Sequence, residues 1–284
     1  MTDSEPIWLV FNRASGSNDE AALAEVEEGL QAAALRIAGR TYFPQDKVPT
    51  ASELDDGGIS TLRVFAGDGT IHSLVISLFG WQGRAIVLPG GTMNLLSKEL
   101  HGEAGAVEIL GRIAAGPVRL VRPPILEGRT GHALTSVLSG PGTAWNDVRE
   151  ALRNAELGGF AAAAASALVE SVAGEKVICR SIEGVRVEGY AAISLELRED
   201  RLEVLVYYAE VPGDFLGQLA ALLQRNFRKG PHEKPGPFDQ AAIETINSEP
   251  MGLLMDGEPC DAQARETFVI ASCPVDLVAT HNDA

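Results

Sequence analysis

The 284-residue sequence predicts an α/β domain followed by a larger, mainly antiparallel β domain. Three observations predict it. In the first part, short apolar runs end in small-residue turns and lead into helical patterns, as in a largely parallel sheet covered by helices. Near Gly116 the pattern changes, and strands dominate from there on. In that second part Glu183-Gly184 and Glu199-Asp200 fall where hairpin turns belong.

Ile7 to Phe11 is an unbroken apolar run, read as a buried strand, and Asn12-Arg13-Ala14-Ser15-Gly16 follows as a turn. Ser17 and Glu20 have the spacing of a capping box, which opens a helix over Ala21 to Ala34. Leu62 to Phe65 is the next strand and runs into Ala66-Gly67-Asp68-Gly69-Thr70. Ile71, Leu74, Val75, Leu78 and Phe79 then recur at helical spacing. Ala85 to Leu88 is a strand closed by Pro89-Gly90-Gly91-Thr92, and a helix from about Asn94 to Leu100 follows.

Beyond Gly116 the strand candidates are Val118 to Leu126, Ala133 to Leu138, Lys176 to Ile182, Val185 to Leu197, Leu202 to Ala209, Ala241 to Ile246, Gly252 to Met255 and Thr267 to Ala271. Helical stretches over Trp145 to Val172 and Gly213 to Gln224 interrupt them, and a last strand, Asp276 to Thr280, fits either domain.

The bulk properties narrow the function. Hydrophobic residues make up 45% of the chain, enough for two cored domains, and no apolar run approaches the roughly 18 residues that cross a bilayer. A net charge of −16 argues against a nucleic-acid partner and against purely electrostatic docking on anionic membrane. Arg225, Arg228, Lys229, His232 and Lys234 form one local basic run, read as a solvated loop rather than a lipid contact. Met1 to Pro6 lacks the pattern of a signal peptide, and three widely spaced cysteines fit neither a zinc site nor a disulfide framework, so a cytoplasmic location is expected.

The chemistry concentrates in three turns. In a parallel sheet, strand-to-helix turns emerge at one edge, where ligands bind, and helix N-termini there attract phosphate. Asn12 to Gly16, Gly67 to Thr70 and Gly90 to Thr92 are therefore expected to converge on one anionic ligand. Glycine lets a ligand approach the backbone, and Thr70 has a hydroxyl and an N–H to donate. Asp68 cannot favour a bare phosphate, so it points to an intervening cation, typically Mg²⁺, to a sugar hydroxyl, or to a simple cap. Walker A, dinucleotide-binding and G-x-S-x-G patterns are all missing from the sequence. His72 reads either as a polar helix residue or as a ligand contact. Asp256-Gly257-Glu258 reads first as a tight hairpin, with two carboxylates that could serve a metal or act as a base.

Together these motifs, in this order and spacing, resemble the diacylglycerol kinase catalytic-domain family, which includes soluble bacterial lipid kinases and sphingosine kinases. The resemblance rests on Asn12 to Gly16, Ala66 to His72, Leu88 to Asn94 and Asp256 to Glu258, and it spans nearly the whole chain. It implies a phosphofructokinase- or NAD kinase-like α/β domain over 1–117, a β-sandwich substrate domain over 118–272, and a segment, 273–284, that returns to the first domain. It further implies ATP between the domains, with Mg²⁺. Asn12, Thr41, Gly67, Asp68, Gly69, Thr70, His72, Gly91, Thr92 and Asn94 match nucleotide-binding positions, and Asp68 and Asp200 match metal positions. Glu258 matches the proton acceptor of the bacterial members, with Asp256 beside it. Asp68 matches the acid/base group of sphingosine kinases and ranks below Glu258.

The chain departs from the family pattern at Ala66, at Leu95 and in the short Arg198-Glu199-Asp200-Arg201 connection. The function so implied is ATP-dependent transfer of the γ-phosphate to a lipid hydroxyl, of diacylglycerol or a long-chain base, within phospholipid metabolism. Its partners are a lipid substrate, transient contact at the inner membrane face and a second copy in a homodimer. The alternatives are an NAD kinase-like enzyme with a soluble substrate and a nucleotide-binding regulatory protein with impaired catalysis.

Overall fold

The structure, a computed structural model, describes residues 6–12, 24, 26, 28, 36–144, 174–184, 186–198, 201–207 and 232–281. It divides into two compact units, Met1–Pro123 with Ser272–Ala284, and Pro124–Ala271.

The first unit contains β1 (Ile7–Asn12), β2 (Ile37–Phe43), α1 (Ala51–Asp56), β3 (Thr61–Ala66), α2 (Asp68–Ser77), β4 (Arg84–Pro89), α3 (Leu95–His101), α4 (Ala106–Ala115) and β5 (Arg119–Val121). The last strand of the chain, β17 (Asp276–Ala279), also belongs here. The sheet order is β2-β1-β3-β4-β17-β5, with every neighbouring pair parallel except β17 and β5. β3 is buried along its whole length, as a strand covered on both faces should be. One face carries Ile7, Leu9, Phe11, Phe65, Ile86, Leu88 and Val278, packed with Ile109 and Leu110 of α4 and with Val26. Ala24, Val26 and Glu28 are helical, inside the expected helix. α2 buries Ile71, Leu74 and Val75, three positions of the expected amphipathic stripe.

The second unit contains β6 (Pro124–Glu127), β7 (His132–Ala133), β8 (Ser136–Ser139), a 3₁₀ turn (Pro141–Ala144), β9 (Val177–Cys179), β10 (Ala192–Arg198), β11 (Arg201–Tyr207), β12 (His232–Phe238), β13 (Gln240–Thr245), β14 (Gly252–Met255), β15 (Glu258–Asp261) and β16 (Arg265–Ser272). They form a six-stranded sheet, β12-β11-β10-β8-β14-β15, and a five-stranded sheet, β7-β6-β16-β13-β9. Val137, Ile193, Leu195, Val204, Leu253 and Met255 of the first share one core with Leu126, Val177, Ile243 and Phe268 of the second.

Several elements differ from the sequence reading. The run Val118 to Leu126 is two strands, β5 in the first unit and β6 in the second, broken at Pro123-Pro124, where no N–H is available to a ladder. The run Ala133 to Leu138 is likewise divided, because the Leu134, Thr135 and Ser136 amides donate to the Asp256 carboxylate. The expected strand from Val185 starts only at Ala192, after a turn closed by Gly189 N donating to Arg186 O. The expected basic loop continues into β12, whose Pro235 and Pro237 are tolerated on an edge strand beside a register shift in β11. The turn residues 13–16, the expected capping box of Ser17 and Glu20, the helices expected over 145–172 and 213–224, the basic residues Arg225, Arg228 and Lys229, and Asp200 lie outside the described residues.

Candidate active site

β1, β3 and β4 run parallel, so their carboxyl ends face one edge, where Asn12 at the end of β1 and the turns after β3 and β4 are bonded to each other. Asn12, the last residue of β1, donates from Nδ2 to Thr70 Oγ1 at 2.7 Å. Gly90 N donates to Ala66 O at 3.0 Å. A Cβ on Gly91 would stand 2.6 Å from Gly67 Cα, so glycine at 91 permits the backbones to touch.

Asn94 organises the second turn. It takes a left-handed conformation (φ 53°, ψ 45°), which asparagine tolerates better than most residues. Its Oδ1 accepts from Gly91 N at 2.7 Å, and its Nδ2 donates to Gly91 O at 2.8 Å. Asp68 then reaches across. Its Oδ2 accepts from Asn94 N at 2.9 Å, and its Oδ1 accepts from Leu95 N at 2.8 Å. The carboxylate therefore caps α3, a neighbouring helix, rather than its own.

The start of α2 is different. Gly67 is its N-cap and, being glycine, brings no side chain of its own over the first turn. A helix leaves its first N–H groups without intrahelical partners, and they carry partial positive charge. Those of α2, beside the half-buried Gly67 and Gly69 and the fixed Thr70 hydroxyl, suit an anionic ligand.

The remaining residues are placed as follows. Thr92 is exposed at the tip of the second turn, and His72 is half-buried on α2. Thr41 is only 3% exposed and accepts from Trp8 Nε1 at 2.9 Å, so its hydroxyl faces the neighbouring strand β1. At its other end α3 terminates on His101, fully buried with Nδ1 2.9 Å from Thr280 Oγ1. Burial pulls its imidazole down to about 4, against an upward pull from the Val87 carbonyl and with a lesser downward push from the charge of Arg112.

In the second unit, Asp256 and Gly257 both have positive φ (51° and 88°) and close the β14–β15 hairpin. Asp256 Oδ2 accepts from Leu134 N at 2.6 Å, and Oδ1 accepts from Thr135 N, Thr135 Oγ1 and Ser136 N at 2.8, 2.7 and 3.0 Å. Four donors meet the roughly four acceptor sites of a carboxylate, so this group anchors the hairpin. Glu258, two residues on, is exposed, and among the described residues no hydrogen bond or ion pair engages its carboxylate.

Sequence reasoning did not find the Leu134–Ser136 amides as the target of Asp256, or Leu95 N as that of Asp68. Both contacts join residues far apart in the chain, and backbone amides leave no mark in side-chain composition. Among the described residues, no group of three or more His, Cys, Asp or Glu side chains could hold a metal ion by itself.

Residues 6–122 match the diacylglycerol kinase catalytic domain. The matched segment contains β1 to β5 and all three turns. Solved structures agree on the fold. A diacylglycerol kinase from Bacillus anthracis str. Sterne aligns with a TM-score of 0.63 at 18% identity, covering 98% of both chains. A putative diacylglycerol kinase from the same organism aligns at 0.64 and 16% identity, covering 98% of this chain and 96% of the other. Another aligns at 0.60 and 17%, covering 98% of each. A search of curated proteins finds no match. The similarity to the diacylglycerol kinase family thus covers the first unit in sequence and nearly the whole chain in fold, and no helix among the described residues is long and apolar enough to cross a membrane.

Proposed function

We propose that this protein is an ATP-dependent lipid kinase that transfers the γ-phosphate to a lipid hydroxyl. The observation that carries the reading is the helix start at α2, capped only by glycine and bonded to Asn12 on one side and the Gly90–Asn94 turn on the other, in the segment matching the diacylglycerol kinase catalytic domain.

The amides that open α2 hold the phosphates, and Asn12 fixes the Thr70 hydroxyl toward the same place. Asp68, whose carboxylate accepts from Asn94 N and Leu95 N at the edge of the same turn, is proposed to hold Mg²⁺ together with waters and nucleotide oxygens. Mg²⁺ supplies neutralisation of the phosphate charge when bound. Asp200 is proposed as a second, structural metal ligand on the family resemblance alone. The acceptor hydroxyl oxygen forms its bond to the γ-phosphorus, the β–γ bridging oxygen leaves with ADP, and the hydroxyl proton passes to Glu258. Glu258 suits this role because its carboxylate is exposed and uncommitted, whereas Asp256 is spent on the hairpin. The acceleration comes mainly from positioning and electrostatics.

The test is incubation with γ-labelled ATP and a lipid extract, followed by identification of labelled products. Label in a phospholipid or phosphorylated long-chain base supports the reading. Nucleotide binding by calorimetry without label in any lipid would favour a regulatory role, and label in NADP a soluble acceptor.

A further inference from the structure

At the amino end of the same sheet lies a second positively charged feature that the turns do not use. In β3, Arg63 sits in register between Leu9 of β1 and Ile86 of β4. Its side chain therefore shares the face on which Leu9, Phe65 and Ile86 form the core. It is 9% exposed, and its Nε is buried without a hydrogen-bond partner. Among the described residues, no carboxylate pairs with it.

Arg84 stands beside it on that face. Thir register follows from Thr61, which pairs with Arg84 and accepts from Arg84 Nε at 2.9 Å. The two guanidinium groups act on one another: burial first, and then the charge of Arg84, lower Arg63 to about 10. The carboxylate that follows in the row, Asp276, accepts from Arg122 Nε at 2.7 Å.

A buried cation with no counter-ion is strongly unfavourable, and it is more unfavourable beside a second cation. Guanidinium forks match the oxygens of phosphate in geometry and charge. We infer that Arg63 and Arg84 form a binding site for a small phosphate-class oxyanion toward the amino edge of the sheet, separate from the glycine turns after β3 and β4 at the carboxyl edge. The anion would satisfy the buried Arg63 and stabilise the central strands, so its concentration would tune the stability of the first unit.

The probe is inorganic phosphate, titrated at constant ionic strength against chloride, with the full chain read by calorimetry and thermal melting. The wild-type protein should bind phosphate and melt at higher temperature as phosphate rises. Arg63→Met should weaken that binding about tenfold or more, the loss expected for a charge-assisted contact. In phosphate-free buffer the same variant should melt no lower than wild type, because it removes an unpaired buried charge. Arg84→Met, if Arg63→Met does not fold, should show the same loss of phosphate response. The inference is overturned if wild type does not respond to phosphate, if its response is undiminished in both variants, or if Arg63→Met folds but melts well below wild type without phosphate.

Discussion

Asp68 binds the backbone of Leu95 at 2.8 Å, and so the first glycine turn holds the N-terminus of the helix that follows the second. With Asn94 N also bonded at 2.9 Å, one carboxylate satisfies two orphan amides and places negative charge at a helix start. Asp68→Ala should therefore unfold more easily, by about 1–2 kcal/mol, the usual cost of a lost N-cap. Chemical denaturation measures this. Unchanged stability would mean that the cap carries no weight.

Gly91 is the second test of the same junction. A methyl group there would overlap Gly67 Cα at 2.6 Å, and neither backbone can yield without moving a turn. Gly91→Ala should cost about 1–3 kcal/mol, as overpacking does, and should weaken nucleotide binding more than any substitution at exposed Thr92. Calorimetric titration of the two variants with ATP would compare them directly.

The turns after β3 and β4 were legible because each follows an apolar run and precedes a helix, both local patterns. The β14–β15 hairpin was legible for the same reason, from Asp256-Gly257 alone. Less legible were β2, whose apolar run is interrupted by Gly39 and Arg40, and β12, whose prolines read as loop until its edge position is known. The capping box of α1 was legible but passed over: Thr50 and Glu53 have the right spacing, and both reciprocal bonds form. The site chemistry divides similarly. That Asp68 and Asp256 matter could be read from the sequence, but that both spend their oxygens on distant amides depends on tertiary contacts.

His101 should make stability depend on acidity. Its folded-state value of about 4 lies below the ordinary 6.5, chiefly through burial. The unfolded chain thus binds a proton more readily, so the stabilisation is complete above pH 6.5 and is lost as pH falls through 4. The full effect is about 3 kcal/mol at 1.36 kcal/mol per pH unit. Melting curves between pH 7 and pH 4 should fall less steeply for His101→Gln than for wild type. Parallel profiles would exclude this histidine as a source of the acid sensitivity.

Asp256 and Glu258 should separate cleanly, though they sit two residues apart. Asp256→Ala removes the acceptor for three backbone amides and a hydroxyl, and each buried donor left unpaired costs about 1–3 kcal/mol. It should destabilise the second unit, with any loss of turnover following from that. Glu258→Gln touches no such network and should leave stability within about 0.5 kcal/mol of wild type. If Glu258 accepts the proton, the same change should lower turnover about 10² to 10⁴-fold while sparing ATP affinity. Denaturation and single-turnover transfer on both variants decide it: a stable Glu258→Gln enzyme with full turnover would move the base elsewhere, leaving Asp68 as the next carboxylate to test.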